Sequence, residues 1–98
     1  MITVWIEYPE SYAARITDVF KRDLKDVIQR HIDISHKGEN IRIQTLKCAL
    51  GAFNTTTSID IVFPVDILPQ ASDELVEDVQ SIAGEHVVVK VYVHTHET

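Results

Sequence analysis

Hydrophobic and polar residues alternate most regularly near the end of the chain, over residues 86–96. One side of an extended backbone would carry four valines, Val87, Val89, Val91 and Val93. The other side would carry a mixed set, Val88, Lys90, Tyr92, His94 and His96. A period of two among β-branched residues is typical of a strand with one face on a hydrophobic core. The pattern predicts a strand whose second face is polar but not simply hydrophilic.

Three further segments alternate in the same way. Residues 3–8 continue from Ile2 as a first strand, and residues 55–65 form another, with Ile59 and Ile61 directed to the core. In residues 40–50 the apolar positions change phase after Ile43 and resume at Leu46. Because a bulge inserts one residue and re-aims the side chains, this phase change predicts a bulge or bend inside the second strand.

Two segments have helical spacing. A long helix is predicted from Pro9 or Ser11 to the His31–Ile32 region, with a wide apolar stripe. The stripe consists of Tyr12, Ile16, Val19, Phe20, Leu24, Val27 and Ile28. A second helix is predicted to be capped by Ser72 and to end at Gly84. Its buried stripe is Leu75, Val79, Ile82 and Ala83.

The predicted order of elements is therefore β-α-β-β-α-β. It indicates one α+β domain over residues 1–98, a two-layer sandwich with both helices on one face of a four-stranded sheet. The other face would be open. Its predicted interface residues are Trp5, Glu7, Arg42, Asp60, Val62, Lys90 and Tyr92.

Aromatic anchors with balanced charge are typical of a homo-oligomer interface. Glu7 and Asp60 are expected to pair with Arg42 and Lys90 across strands. A short chain also gains buried surface by association, so a homodimer or homotrimer is predicted. The alternatives are a solvated sheet face, a groove for a small ligand, or a surface that stacks single-stranded nucleic acid.

Composition narrows these alternatives. The chain has 98 residues, 45% hydrophobic, and a net charge of −6. A negative net charge disfavours nucleic-acid binding through phosphates. No apolar run is long enough for a membrane span, and Met1 is not followed by a signal-peptide pattern. Because Cys48 is the only cysteine, no intrachain disulfide is expected and a cytoplasmic location is predicted.

Candidate chemistry in the sequence is sparse. His94 and His96, two apart on a strand, form a weak metal-binding pattern that is more typical of a polar tail. His31 and His36 flank the end of the first helix and are interpreted as structural, while Cys48 is expected to be a buried, inert thiol. No phosphate loop or other cofactor motif is present, so no cofactor, metal site or catalytic residue is predicted.

The element order resembles a divergent member of the tautomerase superfamily, most of all its carboxymethyl-hydroxymuconate isomerase-like branch. The resemblance includes the strand at residues 2–8, the long helix, the segments 41–43 and 52–53, and the valine-rich final strand. It implies two β-α-β units, trimeric assembly, and isomerase chemistry based on an N-terminal proline. A ferredoxin-like domain has the same order of elements and remains an alternative.

This chain departs from the family at its catalytic position, where Ile2 follows Met1. By this resemblance, Arg42 lies near the position where members of the family often carry a substrate-binding arginine. A retained Met1 amine would be a weaker base than the proline. A non-catalytic binding or assembly domain is therefore favoured. The alternatives are an isomerase with altered chemistry and a ferredoxin-like module that binds a small ligand.

Overall fold

The computed structural model describes residues 1–48 and 56–94. Its main elements are β1 (Ile2–Tyr8), α1 (Asp18–Arg30), β2 (Ile41–Lys47), β3 (Ser58–Pro64), α2 (Ser72–Ala83) and β4 (Val88–His94). Short 3-10 helices at Glu10–Arg15 and Ile34–His36 flank α1. The predicted α+β class and the β-α-β-β-α-β order are confirmed. Two segments lie outside the described residues: residues 51–54, where Gly51 and Asn54 favour a turn, and residues 95–96, the end of the predicted final strand.

The sheet has the strand order β2-β1-β3-β4. Within each β-α-β unit the two strands are hydrogen-bonded neighbours and parallel, β1 with β2 and β3 with β4. The two units meet where β1 and β3 pair antiparallel. A ferredoxin-like sheet instead splits each β-α-β unit by inserting a strand of the other unit. The ferredoxin-like alternative is therefore wrong for this sheet.

The hydrophobic core lies between one face of the sheet and the two helices. The sheet contributes buried side chains from every strand, among them Ile2, Val4, Ile6, Ile41, Ile59, Ile61, Phe63 and Val89. The helices contribute Phe20, Leu24, Val27, Ile28, Leu75, Val79 and Ala83. Fully burying one Ile, Leu or Phe side chain stabilises a fold by about 1.5–3 kcal/mol, so this layer fixes which sheet face stays open.

The first helical segment is shorter than its hydrophobic spacing predicts. The chain forms a 3-10 helix over Glu10–Arg15, and α1 begins only after Thr17, whose side chain accepts a hydrogen bond from the Phe20 amide. This cap gives the backbone amides a local partner and starts a new helix there. As a consequence Val19, predicted to be buried, is 55% exposed.

Three smaller expectations are also wrong. The β1–β2 register runs without interruption from Ile2 opposite Ile41 to Tyr8 opposite Lys47, so β2 has no bulge. Ala71, not Ser72, occupies the N-cap position of α2, and no side chain caps it. Val93 is 44% exposed, whereas Val89 on the same face of β4 is buried. Gly84 ends α2 as expected, with φ of 118°.

Candidate functional site

The face of the sheet away from the helices brings all seven predicted interface residues together. Strand register places Trp5 between Gln44 of β2 and Asp60 of β3, and Asp60 lies opposite Lys90 of β4. The adjacent row contains Arg42, Thr3, Val62 and Tyr92. Glu7 lies in the third row, between Leu46 and Ser58. We refer to this surface, formed by alternate residues of the four strands, as the open face.

Large apolar side chains are exposed along the open face. Trp5 is 46% exposed and lies opposite Asp60 of β3. Tyr92 is 45% exposed and lies opposite Val62 of β3. Leu46 and Val88 are exposed at its two edges. Leu46 was not among the predicted interface residues, because the apparent phase change in β2 assigned it to the core. The uninterrupted register is the reason it belongs to the open face.

The four charged side chains of the open face are not paired with one another. Among the residues that the structure describes, Glu7, Asp60, Arg42 and Lys90 form no ion pair. Glu7 cannot reach Arg42, because Arg42 lies opposite Thr3, which is four residues and about 13 Å away along β1. The expected Glu7–Arg42 pair is therefore wrong. Asp60 and Lys90 are cross-strand neighbours but do not bond.

Arg42 instead contacts the side chain next to it on β2. With its carboxamide oriented to satisfy both groups, the Gln44 oxygen accepts hydrogen bonds from Arg42 Nε at 2.8 Å and Arg42 Nη2 at 2.9 Å. This contact holds the guanidinium against the sheet surface. It also leaves the guanidinium without a carboxylate partner within the described part of the chain.

A cavity of about 390 Å³ opens on this face at the end of the sheet where β1 and β2 begin. Its lining combines an aromatic wall with cationic and polar groups, from Met1, Thr3, Trp5, Arg42, Gln44, Val62, Pro64 and His94. Sites for small ligands have this size and a similar mixture of apolar surface and a few polar groups. The cavity contains two of the predicted interface residues besides Trp5, namely Arg42 and Val62.

The amino group of Met1 is held at the rim of this cavity by a carboxylate. The Met1 nitrogen lies 2.8 Å from Glu39 Oε1, and the Ile2 amide donates to the Asn40 carbonyl at 2.9 Å. The fully buried Ile2 side chain anchors the same end of β1 in the core. The Glu39 carboxylate, the backbone hydrogen bond of Ile2 and the buried Ile2 side chain together fix the position of the amine.

Gln29 of α1 holds the turn that presents Glu39. Its Nε2 donates to the Glu39 carbonyl at 2.9 Å, its Oε1 accepts from the Gly38 amide at 3.2 Å, and its own carbonyl accepts from Lys37 Nζ at 2.7 Å. Gly38 adopts φ of 90°, a conformation that side-chain-bearing residues rarely adopt. Sequence reasoning missed Gln29 and Glu39, because only the folded turn brings them to Met1.

Other candidate chemistry is limited. Within residues 1–48 and 56–94, no three His, Cys, Asp or Glu side chains cluster closely enough to hold a metal ion. His96 lies outside that part, so the predicted His94–His96 pair stays a prediction. The Cys48 side chain is partly exposed, so the expectation of a buried thiol is wrong. No helix in the described part of the chain is long and apolar enough to cross a membrane.

Two solved structures resemble this one over nearly its whole length. Pt0534, a tautomerase-family protein solved after inactivation by 2-oxo-3-pentynoate, aligns with a TM-score of 0.54 and 16% identity over 94% of this chain and 84% of that chain. R7, a fused 4-OT that forms an asymmetric trimer, aligns with a TM-score of 0.50 and 16% identity over 96% of this chain and 85% of that chain. This chain has the tautomerase fold.

The likeness to the tautomerase fold is one of structure. No protein-family model matches the sequence, and no curated protein matches it either. At 16% identity the solved structures establish the fold and not the activity. In this structure the Met1 amine is paired with Glu39, and Met1 lines the same cavity as Arg42 and Trp5.

Proposed function

We propose that this protein is an assembly domain that binds copies of itself through the open face and forms a trimer. The observation that supports the proposal is the set of large apolar side chains exposed on that face, Trp5, Leu46, Val88 and Tyr92. Large apolar side chains left in water are unfavourable by roughly 25 cal/mol per Å² relative to a buried state. Burial against another copy removes this unfavourable exposure.

The charge of the open face also favours self-association. It has two acidic residues, Glu7 and Asp60, and two basic ones, Arg42 and Lys90, whereas the whole chain has a net charge of −6. The face is therefore neutral, and the negative charge that would repel another copy lies elsewhere. Because none of these four groups has an ion-pair partner within the described residues, all are available to pair across an interface.

The trimer is chosen over the dimer because R7 fused 4-OT, which has the same fold, is an asymmetric trimer. Sedimentation velocity or light scattering of the purified protein tests this directly. A trimer has about three times the 11.1 kDa mass of the single chain. A monomer at micromolar concentration, with its open face in water, would overturn the proposal.

A second candidate, isomerisation of a small 2-oxo acid, is favoured by the cavity that Met1 and Arg42 share. Pt0534 is inactivated by 2-oxo-3-pentynoate, which combines a carboxylate with a 2-oxo group. In this chain the Arg42 guanidinium would bind the carboxylate as a fork of donors. Acting on the enol, the Met1 amine would take the proton of the enol hydroxyl and return a proton to the carbon beside it, so that the C=C bond becomes C–C and the C–O bond becomes C=O.

Enol-to-keto conversion of phenylpyruvate tests this second function. If the Met1 amine is the base, acetylating the N-terminus abolishes turnover, and Arg42→Gln raises KM more than it lowers kcat. Turnover that survives acetylation would exclude the amine as the base. A trimer without any turnover leaves assembly as the function, so the two proposals are separable.

A further inference from the structure

A second cavity, of about 350 Å³, lies at the other end of β1 from the Met1 cavity. It opens where β1 leaves the sheet at Pro9, where α2 ends at Gly84 and where the chain enters β4 at Val87. Trp5 lines the first cavity and Pro9 the second, four residues or about 13 Å apart along the chain, and no residue lines both. The second cavity is independent of the function proposed for the open face.

One wall of this cavity is a tyrosine that is fixed at both ends. The Tyr12 hydroxyl donates to the Ala83 carbonyl at 2.7 Å, and the Tyr12 ring packs edge-on against Phe20 with 6.4 Å between ring centroids. The first contact joins the 3-10 helix to α2, and the second joins it to α1. Tyr12 is therefore anchored to both helices.

Arg15 lies across this surface. Its guanidinium carbon is 5.3 Å from the centroid of the Tyr12 ring, a cation–π arrangement. Its Nη1 lies 3.3 Å from the position that a Cβ atom on residue 84 would occupy, so Gly84 makes room for the guanidinium. A charged group held in place before a ligand arrives loses less entropy on binding.

The guanidinium of Arg15 has N–H donors that are not paired with a carboxylate in the described part of the chain. Among the described residues no carboxylate lies within ion-pair distance of it, whereas Lys47 pairs with Glu10 and Met1 with Glu39. A guanidinium presents five N–H donors in a planar fork that matches a carboxylate. In a chain of net charge −6, an arginine that lines a cavity without an acidic partner is the natural site for an anion.

Neighbouring charges limit which anion fits. The Glu85 carboxylate lines the same cavity, and the C-terminal end of α2 adds partial negative charge. Both oppose a doubly charged group such as phosphate more strongly than a singly charged one. Pro9, Val87 and the Tyr12 ring supply apolar surface for an uncharged body.

We propose that this cavity binds a small monocarboxylate with a flat apolar body, its carboxylate on Arg15 and its body beside Tyr12. A bidentate carboxylate–guanidinium contact would orient the ligand, and the ring would cover one of its faces.

Benzoate is the probe, and its binding to the ¹⁵N-labelled protein is followed by amide chemical shifts. Saturable shifts are expected at Gly84 and Val87, with benzamide and inorganic phosphate each binding at least about tenfold more weakly. Arg15→Gln should raise the Kd for benzoate by about tenfold or more, whereas Arg22→Gln, an exposed arginine of α1, should leave it unchanged.

Arg15→Lys separates binding from a structural role. It keeps a positive charge beside the C-terminal end of α2 but loses the planar fork, so affinity should fall while the melting temperature stays the same. Shifts that disappear in Arg42→Gln and persist in Arg15→Gln would place benzoate in the Met1 cavity and overturn the proposal. The proposal is equally overturned if Gly84 and Val87 show no saturable shift.

Discussion

The imidazole of His31 lies 2.6 Å from the carboxylate of Asp78, and this contact joins the two helices that cover the sheet. His31 is the C-cap of α1 and is buried, whereas Asp78 lies on the exposed side of α2. The His31 carbonyl also accepts the Gln70 amide at 2.8 Å, from the segment that leads into α2. His31 is structural, as its position at the end of a helix predicts.

Asp78→Asn should destabilise the fold by about 1 kcal/mol, because it weakens the hydrogen bond of a buried imidazole. Urea unfolding at neutral pH measures the change. Glu77→Gln is the matched control, since Glu77 is the exposed neighbour on α2 with no ion pair among the described residues. Equal effects of the two substitutions would show that the His31–Asp78 contact adds nothing to stability.

Trp5→Glu should dissociate the proposed trimer. The new carboxylate would lie beside Asp60 in the register and remove the central aromatic side chain. Loss of a central aromatic contact weakens an interface by about 2 kcal/mol, roughly 30-fold in Kd. Sedimentation velocity over a concentration series measures this shift.

Val19→Glu controls for the loss of an exposed apolar residue elsewhere. Val19 is 55% exposed on α1, close to the 46% of Trp5, but it lies in the helical layer. Val19→Glu should therefore leave the mass of the oligomer in solution unchanged. If Val19→Glu dissociates the protein and Trp5→Glu does not, association involves the helices and the open face is not the interface.

Gly84→Ala should destabilise the fold by about 2 kcal/mol, and Gly38→Ala by about 1 kcal/mol. Both glycines have positive φ, 118° and 90°, which strains any other residue. Only at residue 84 would the added Cβ also meet a side-chain atom, Arg15 Nη1 at 3.3 Å, while nothing lies within 4 Å at residue 38. Thermal unfolding of both variants gives the comparison, and the reverse ranking would contradict the close approach of Arg15.

Tyr12 should make stability fall at alkaline pH. Partial burial raises the pKa of its hydroxyl, and the nearby Arg15 charge opposes this without cancelling it. Because the pKa is higher in the folded state, the stabilisation is complete below the unfolded pKa of about 10 and is lost as pH rises through the folded pKa. Tyr12→Phe should therefore lose less stability than the wild type above pH 10. Parallel stability curves for the two proteins would contradict this.

Alternation along the chain predicts the strands well, because one side of each is buried and the other is not. Ile2, Val4 and Ile6 are all fully buried, as their spacing indicates. Helical spacing is less reliable near a helix start. Tyr12 and Ile16 do contact the core, but they do so outside α1. Capping by the Thr17 side chain decides where α1 begins, and the spacing of apolar residues contains no information about this cap.

The candidate site on the open face is also predictable only in part, because its geometry depends on contacts between distant parts of the chain. Alternation assigns Trp5, Arg42 and Tyr92 to one face without saying which are neighbours. That depends on strand order and register, which arise from long-range pairing. The ion pair between Met1 and Glu39 depends further on a single turn at Gly38. No periodic pattern contains that information.

The antiparallel pairing of β1 with β3 gives the chain an internal approximate two-fold axis. Each β-α-β unit presents its first strand to the first strand of the other, and Val4 lies opposite Ile61 while Ile6 lies opposite Ile59. This is the geometry of an isologous dimer contained within one polypeptide. Either half therefore offers the other a surface much like its own, and a chain of half this length could in principle build the same sheet by pairing with itself.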